Sequence, residues 1–422
     1  MSRNKSLHIL MVMFVAFSVP GYAENETNEP AGEIILDQAL KLACEYNPDI
    51  LSAQYEVQAA THRKTQTGVR PNPNLSFEAE DVLGKNEMKG FDGAEYTAQL
   101  EQTLEIGRKR SKRIKKAELD RQLSGFDLSA RQLDVEAATV RRFIAVQGAQ
   151  EQLALNREFM ALAENFLKTV SARVQAGKVS PMEEEKAKIL LSQQKNAMFQ
   201  AERELDAARV QLSAMWGSAE PRFGRVGGDF FAIPVVRSIS DLAGGLKDNP
   251  DVGRWAAELE QRKASVNTEK AARIPDVAIA GGIRRFNDTG DDAFVMGLSL
   301  PLPLFDRNQG NVRESSVLVL MAEKQRLSAE VSANTALVGA YQAFLSTSNK
   351  VSGLHTEIIP RAKSVYDSVK TGYLQGKFSY LEVLDAQRTF FEAKGECIDA
   401  MVSCHSAFTD IERISGIKKY NK

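Results

Sequence analysis

The stretch Arg70–Arg110, RPNPNLSFEAEDVLGKNEMKGFDGAEYTAQLEQTLEIGRKR, constrains the fold more than any other part of the chain. Leu75, Phe77 and Ala79 alternate with Ser76, Glu78 and Glu80, and Tyr96, Ala98 and Leu100 alternate with Thr97, Gln99 and Glu101. Side chains along a strand point to opposite faces in turn, so each run has one oily and one polar face. The Gly-, Asp- and Lys-rich connection makes the pair a β-hairpin. A second pair follows much later, with Val277, Ile279, Gly281 and Ile283, then Phe294, Met296, Leu298 and Leu300. The four strands are expected at about 74–82, 95–106, 276–286 and 293–303, in a chain that otherwise reads as mainly helical. Nothing else in the sequence offers a sheet for them to join.

The apolar runs are about ten residues long, which is the length a tilted strand needs to cross a bilayer. An open sheet edge cannot sit in lipid, where its N–H and C=O groups find no water, and the smallest membrane barrels use about eight strands. Strands from further copies of the chain resolve both difficulties. Three copies would supply a twelve-stranded barrel wide enough for a channel, although strand count alone does not force a trimer over a dimer. The positions expected to face lipid are Leu75, Phe77, Tyr96, Leu100, Ile279, Met296 and Leu298, leaving Glu78, Glu80 and Glu101 on the lumenal side.

The N-terminus sets the compartment. Arg3 and Lys5 precede the apolar run Leu7–Val19, and Pro20-Gly21-Tyr22-Ala23 supplies a helix breaker and small residues, the pattern of a signal peptide over 1–23. The run is shorter than the roughly 20 residues of a membrane-spanning helix, and no later stretch approaches that length, so any crossing must use strands. No Cys follows Ala23 directly, which argues against a lipid anchor. Residues 24–32 are polar and acidic and are expected to be a loose mature terminus. A formal charge of −1 gives no general affinity for nucleic acid. Cys397 and Cys404, seven residues apart on a helix, are separated by about 10 Å, too far for a disulfide, and read with Cys44 as small buried hydrophobes. His62, His355 and His405 lack ligand spacing. Neither a resident metal, a cofactor nor a catalytic constellation is expected, so the chain does not read as an enzyme.

The chain is also duplicated. Asn47-Pro48 and Asn249-Pro250 each open a helix, and Pro48 and Pro73 are 25 residues apart, as are Pro250 and Pro275. Ala176-Gly177-Lys178-Val179-Ser180 matches Gln375-Gly376-Lys377-Phe378-Ser379 with an offset of 199, and Gly217 matches Gly416 with the same offset. Several matches in register indicate two tandem repeats, 24–217 and 238–422, joined by a linker over 218–237. Helices are expected over Leu36–Tyr46, Asp49–Thr67, Ser111–Ala176 and Asp251–Ala272. From Ser111 the proline-free run is about 100 Å long at 1.5 Å per residue. Its heptad seam, Leu119, Phe126, Leu133, Val140 beside Leu123, Ala130, Ala137, Ile144, is answered on the returning helix by Leu191, Met198, Leu205, Leu212 beside Ala187, Ala201, Ala208, Met215. Such repeats give coiled-coil packing. Pro360 is expected to kink or break its helix.

Two tight turns join these helices. Gly177 and Gly376 suit a left-handed helix end, and Ser180-Pro181-Met182-Glu183 and Ser379-Tyr380-Leu381-Glu382 both have capping-box spacing. Arg108–Lys116 holds seven basic residues in nine at a helix start, against the macrodipole, so it calls for compensation from elsewhere.

Over nearly the whole mature chain these features resemble the TolC-like outer-membrane efflux family. Gly376-Lys377-Phe378-Ser379-Tyr380-Leu381-Glu382-Val383-Leu384-Asp385-Ala386 looks like its second tip motif. Arg70-Pro71-Asn72-Pro73-Asn74-Leu75, Glu105-Ile106-Gly107-Arg108-Lys109-Arg110 and Leu302-Pro303-Leu304-Phe305-Asp306-Arg307-Asn308-Gln309-Gly310 are most similar to its CzcC-like heavy-metal branch. The resemblance implies a homotrimer in the outer membrane, with a β-barrel continued by a periplasmic α-barrel. It also implies an adaptor of the membrane-fusion type and an inner-membrane, proton-driven pump of the RND type as partners. It places the periplasmic gate at Glu382 and Asp385, and adaptor docking at the tips Gly177, Lys178, Val179, Ser180, Gly376, Lys377, Phe378 and Ser379. Metal cations are the expected cargo. The alternatives are the same duct for organic drugs or type I secretion, and a periplasmic coiled-coil scaffold without a pore.

Overall fold

The computed structural model describes residues 29–416, so the expected signal peptide lies outside the described residues. The first half runs β1 (Glu33–Ile34), α1 (Leu36–Tyr46), α2 (Pro48–Thr67), β2 (Asn74–Glu80), β3 (Glu95–Leu104), α3 (Lys109–Gln175) and α4 (Pro181–Ser213). After β4 (Arg225–Val226) the second half runs α5 (Ile239–Gly245), α6 (Pro250–Ala272), β5 (Val277–Phe286), β6 (Asp292–Ser299), α7 (Gln309–Gly353), α8 (Ile359–Leu374) and α9 (Tyr380–Ile414). Among the described residues no helix is long and apolar enough to cross a membrane.

The two hairpins are not separate. They join through β3 and β5 into one antiparallel sheet of order β2-β3-β5-β6, with β2 and β6 as open edges. Directly paired residues share a face. Leu75 lies opposite Leu100, Leu100 opposite Gly281, and Gly281 opposite Met296. The fourth strand ends at Ser299, short of the expected 303, where its antiparallel pairing with β5 runs out.

The helices follow the same row. Beneath the sheet α2 packs on α3, α3 on α6, and α6 on α7; toward the far end α4 packs on α3, α3 on α9, and α9 on α7 and α8. The heptad seam is the packed surface: Leu119, Leu123, Leu133, Ala137, Val140 and Ile144 of α3 are buried, as are Ala187, Ala201, Leu205 and Leu212 of α4. The α-helix is interrupted at Pro360 as expected, α7 ending at Gly353 and α8 beginning at Ile359, although the chain stays helical across the join. The strain is absorbed just before it by a π turn, Leu354–Ile358. Proline has no N–H and its ring pushes away the carbonyl four residues back, and widening the helix removes both demands.

Each Asn-Pro start carries two tasks. The Asn47 carboxamide oxygen accepts from the N–H groups of Asp49 (3.0 Å) and Ile50 (3.2 Å), while its nitrogen donates to the Met215 carbonyl (2.8 Å) beyond the end of α4. Asn249 accepts from the N–H of Asp251 (2.8 Å) and donates to the carbonyls of Arg413 (3.1 Å) and Ile414 (2.7 Å) at the end of α9. Both ends then turn through a left-handed glycine, Gly217 (φ 77°) and Gly416 (φ 71°).

The segment expected to be loose is held at its inner end. Glu29 is buried, and its carboxylate accepts from Trp216 Nε1 (2.9 Å) and from the backbone N–H groups of Arg222 (2.6 Å) and Phe223 (3.1 Å). A buried carboxylate needs such donors. Beside it β1 pairs in parallel with β4, so the stretch linking the halves is strapped down, with Phe223 and Phe230 buried. The basic run finds partners as well: Arg113 on Glu105, Lys109 on Asp276 (2.8 Å), and Arg110 on the Gly68 carbonyl.

Replacing Asn47 or Asn249 by Ala removes a helix cap and a tie to a helix end, and should cost about 1–2 kcal/mol each. The two sites share no partner, so the double variant should lose roughly the sum. Chemical-denaturant unfolding followed by circular dichroism measures both.

Candidate functional site: the helical tips and the sheet faces

The two tips are built alike. Gly177 (φ 67°) and Gly376 (φ 75°) take the left-handed conformation, and the next residues close the turn, Lys178 N–H to the Arg173 carbonyl (2.9 Å) and Lys377 N–H to the Gly372 carbonyl (2.8 Å). Gly177, Lys178 and Ser180 are exposed and Val179 half-buried; Gly376, Lys377, Phe378 and Ser379 are all exposed. The Phe378 ring lies where a Cβ on Gly372 would stand, so that glycine is needed for close approach.

Only the second tip forms the expected capping box. There the Ser379 hydroxyl accepts from the N–H of Glu382 (3.4 Å), while Glu382 accepts from the N–H (2.7 Å) and hydroxyl (2.8 Å) of Ser379. These donors, the backbone N–H first, hold the Glu382 carboxyl below its usual range. At the first tip Ser180 accepts instead from the N–H of Met182 (3.2 Å). Glu183 does not return to it, because its carboxylate is taken by the Tyr373 hydroxyl (2.9 Å) at the end of α8.

That bond belongs to a bridge between the tips which the sequence reading missed. Arg173 at the end of α3 donates to the Tyr373 carbonyl and lies over the Tyr373 ring at 4.4 Å. Phe166 stacks on Tyr380 with centroids 5.5 Å apart. Burial pushes the Tyr373 hydroxyl up to about 12, with the Glu183 carboxylate adding to the rise, and burial does the same at Tyr380. Both tyrosines therefore stay neutral at any physiological pH, and Tyr373 remains a donor.

Glu382 and Asp385, the expected gate residues, lie one turn apart on the exposed face of α9. Each already has a local partner: Glu382 its own helix start, and Asp385 the Arg388 guanidinium at 3.0 Å, which also approaches Glu392 at 3.8 Å.

At the opposite end the sheet separates its faces. Leu75, Phe77, Tyr96, Leu100, Ile279, Met296 and Leu298 lie on one face, with Met296 87% and Phe77 76% exposed. Glu78, Glu80, Glu95, Gln99 and Glu101 lie on the other. There Arg284, unnoticed in the sequence, reaches Glu80 (2.9 Å), Glu95 (2.7 Å) and the Thr97 hydroxyl (2.9 Å). Among the described residues no three His, Cys, Asp or Glu side chains are grouped so as to hold a metal ion.

A long helical body carrying an edge-open sheet, oily on one face and polar on the other, defines an outer-membrane channel protomer of the TolC-like fold. The chain belongs to the outer membrane efflux protein family, whose model matches residues 39–218 and 245–416. It is 31% identical over 98% of its length to the whole of the cobalt-zinc-cadmium resistance protein CzcC of Cupriavidus metallidurans. It is 28% identical to the nickel-cobalt-cadmium resistance protein NccC of Alcaligenes xylosoxydans, covering 75% of this chain and 71% of that one. Among solved structures it resembles CusC, with a TM-score of 0.76 at 17% identity over 90% of this chain and 91% of that chain. VceC of Vibrio cholerae gives a TM-score of 0.74 at 15% identity, over 90% and 96%. The protein is thus an outer-membrane efflux channel with a periplasmic helical extension.

Tyr373→Phe removes the hydroxyl from Glu183 and should weaken the bridge by about 1 kcal/mol. Amide exchange at 173–183 should quicken up to about fivefold, with α1 unchanged. The depressed Glu382 carboxyl contributes stability that is full above its unfolded-state value, near 4.5, and is lost as pH falls through its lower folded value. Exchange in the first turn of α9 should therefore accelerate below about pH 4 in the native chain, and Glu382→Ala should abolish that acid dependence.

Proposed function

We propose that three copies of this chain form a duct that passes divalent heavy-metal cations from the periplasm to the outside. One observation carries the reading: a sheet with an oily, exposed face has both edges open, and the helices below run in the same open row. Closure by further copies removes the edges and turns the oily face to lipid and the carboxylate-rich face to the lumen. Leu75, Phe77, Tyr96, Leu100, Ile279, Met296 and Leu298 would then face lipid. The metal assignment is supported by the relatives CzcC and NccC, resistance proteins for cobalt, zinc and cadmium and for nickel, cobalt and cadmium.

The duct has no catalytic task. Energy would come from an inner-membrane RND pump driven by protons, connected by a periplasmic membrane-fusion adaptor that docks on Gly177–Ser180 and Gly376–Ser379. Glu382 and Asp385, repeated by threefold symmetry, would form a carboxylate constriction that attracts cations. Arg388 sets how much of that charge is free.

Deleting the gene should sensitise cells to zinc, cobalt or cadmium salts, restored by the intact gene; sensitivity to organic dyes with unchanged metal tolerance would favour drug cargo. In planar bilayers the purified channel with Glu382→Ala and Asp385→Ala together should conduct several-fold more than the native one. Unchanged conductance would remove both residues from the constriction.

A further inference from the structure

Three layers of the chain share one order. The strands run β2-β3-β5-β6, the helices beneath α2-α3-α6-α7, and toward the tips α4-α3-α9 with α7 and α8 outermost. In every layer one outer element comes from the first half and the other from the second. Those outer elements also carry exposed apolar side chains: Tyr55 on α2, Phe199 on α4, Leu320 and Leu327 on α7, Val365 on α8.

The junction between the halves, β3 on β5 and α3 on α6, supplies a template for the missing junction. Pro73 and Pro275, just before β2 and β5, are 202 positions apart. Arg108 and Asn308, the left-handed residues that precede α3 and α7, are 200 apart. These two correspondences convert the register of one hairpin into that of the other: Ser76 opposite Gln99 becomes Ala278 opposite Ser299, and Phe77 opposite Ala98 becomes Ile279 opposite Leu298. Applied to β3 on β5, they convert Leu100·Gly281, Gln102·Ile279 and Leu104·Val277 into pairs between β6 and the β2 of another copy.

We propose that the seam between copies repeats this internal seam, so that Leu300, Leu302 and Leu304 pair with Ala79, Phe77 and Leu75 of the next copy. The inference rests on the oligomeric channel reading and adds its residue register.

The prolines fit this register. Phe286 donates its N–H to the Asp291 carbonyl (2.9 Å) and Asn287 donates to the Ala94 carbonyl (3.0 Å), so even-numbered residues of β5 turn their N–H to β6 and odd-numbered ones to β3. Ala278 pairs with Ser299, which therefore turns its N–H back to β5. Continued past Ser299, the same alternation aims the nitrogens of 301 and 303 at the β5 side, beyond the start of that strand at Val277. Pro301 and Pro303 occupy those two positions, where a missing N–H costs the seam nothing. In that continued strand the N–H groups of Leu300, Leu302 and Leu304 would point outward, at the open edge. On β2 the outward N–H groups belong to Leu75, Phe77 and Ala79, none of them proline. The apolar alternation thus continues to Leu304 although β6 stops at Ser299, because the extension has no strand beside it in a single chain. Meanwhile the Leu304 N–H turns back to the Leu302 carbonyl (2.9 Å).

In the helical layer the internal seam is tied by Arg254 to Asp127 (2.7 Å) and Gln261 to Asp120 (2.7 Å). The same correspondences place Ser52 against Leu327 and Ala59 against Leu320 of the adjoining copy. Leu320 and Leu327 are 59% and 56% exposed, and such contacts would cover them. The seam between copies sets small residues against leucines where the internal one uses charged and amide side chains.

Cysteine pairs test the register in the full-length chain in outer membranes. Paired strand residues lie about 5.5 Å apart at Cα in this setting, within disulfide reach. Phe77→Cys with Leu302→Cys should give oxidised bands at two and three chain masses that collapse on reduction, and Ser52→Cys with Leu327→Cys should give bands of the same masses with a short bifunctional thiol reagent, because the internal pair they copy is bridged by a long arginine side chain. The native chain, with Cys44, Cys397 and Cys404, supplies the blank. Shifted pairs, Leu75→Cys or Ala79→Cys with Leu302→Cys, should link at least tenfold less. Trimers that link best through a shifted pair would overturn the register while leaving the channel intact. Monomers in mild detergent for the native chain would sink the channel reading itself, and this seam with it.

Discussion

The unpaired backbone at the two edges of an oily-faced sheet is the constraint to which the rest of the molecule answers. Each open edge group costs several kcal/mol in hydrocarbon, far more than any side-chain contact along the strands returns. A soluble protein would cover the oily face with a helix, but here every helix that leaves the sheet continues away from it. The helices keep the strand order as they leave, so the same two sides stay open from sheet to tip. That continuity makes one assembly solve the problem in every layer at once.

The far end has the opposite character. Its contacts are side-chain to side-chain and mixed in kind: one hydroxyl on one carboxylate, a guanidinium over a ring, an aromatic stack, a serine–glutamate cap. The caps hold each tip in shape by itself, whereas the Tyr373 and Arg173 contacts hold the two tips to each other.

Much of the architecture was legible in the residues. Period-two alternation marked the sheet faces, heptads marked the α3 and α4 seam, and Asn-Pro marked the starts of α2 and α6, because each rests on local spacing that a chain cannot disguise. What was hidden depended on partners distant in sequence. Glu183 had the spacing of a capping residue, yet its carboxylate went to Tyr373, 190 residues on. Glu29 looked like part of a loose acidic terminus until Trp216 and the backbone near Phe223 supplied donors. Arg284 and Arg388 were ordinary basic residues in the sequence, and only pairing showed which carboxylates they quiet. Pro360 was legible as an interruption between α7 and α8, but not that the interruption would take the form of a π turn.

The twin asparagines, Asn47 and Asn249, have a consequence for ancestry. Each ties the second helix of a half, α2 or α6, to the end of the last, α4 or α9, so each half closes on its own contacts. A peptide of half this length would carry one such knot and two strands, and six of them would complete the same ring. Fusing two into one gene leaves the geometry untouched and lets the halves diverge, which is how a π turn could arise in one and a cluster of seven cations in the other.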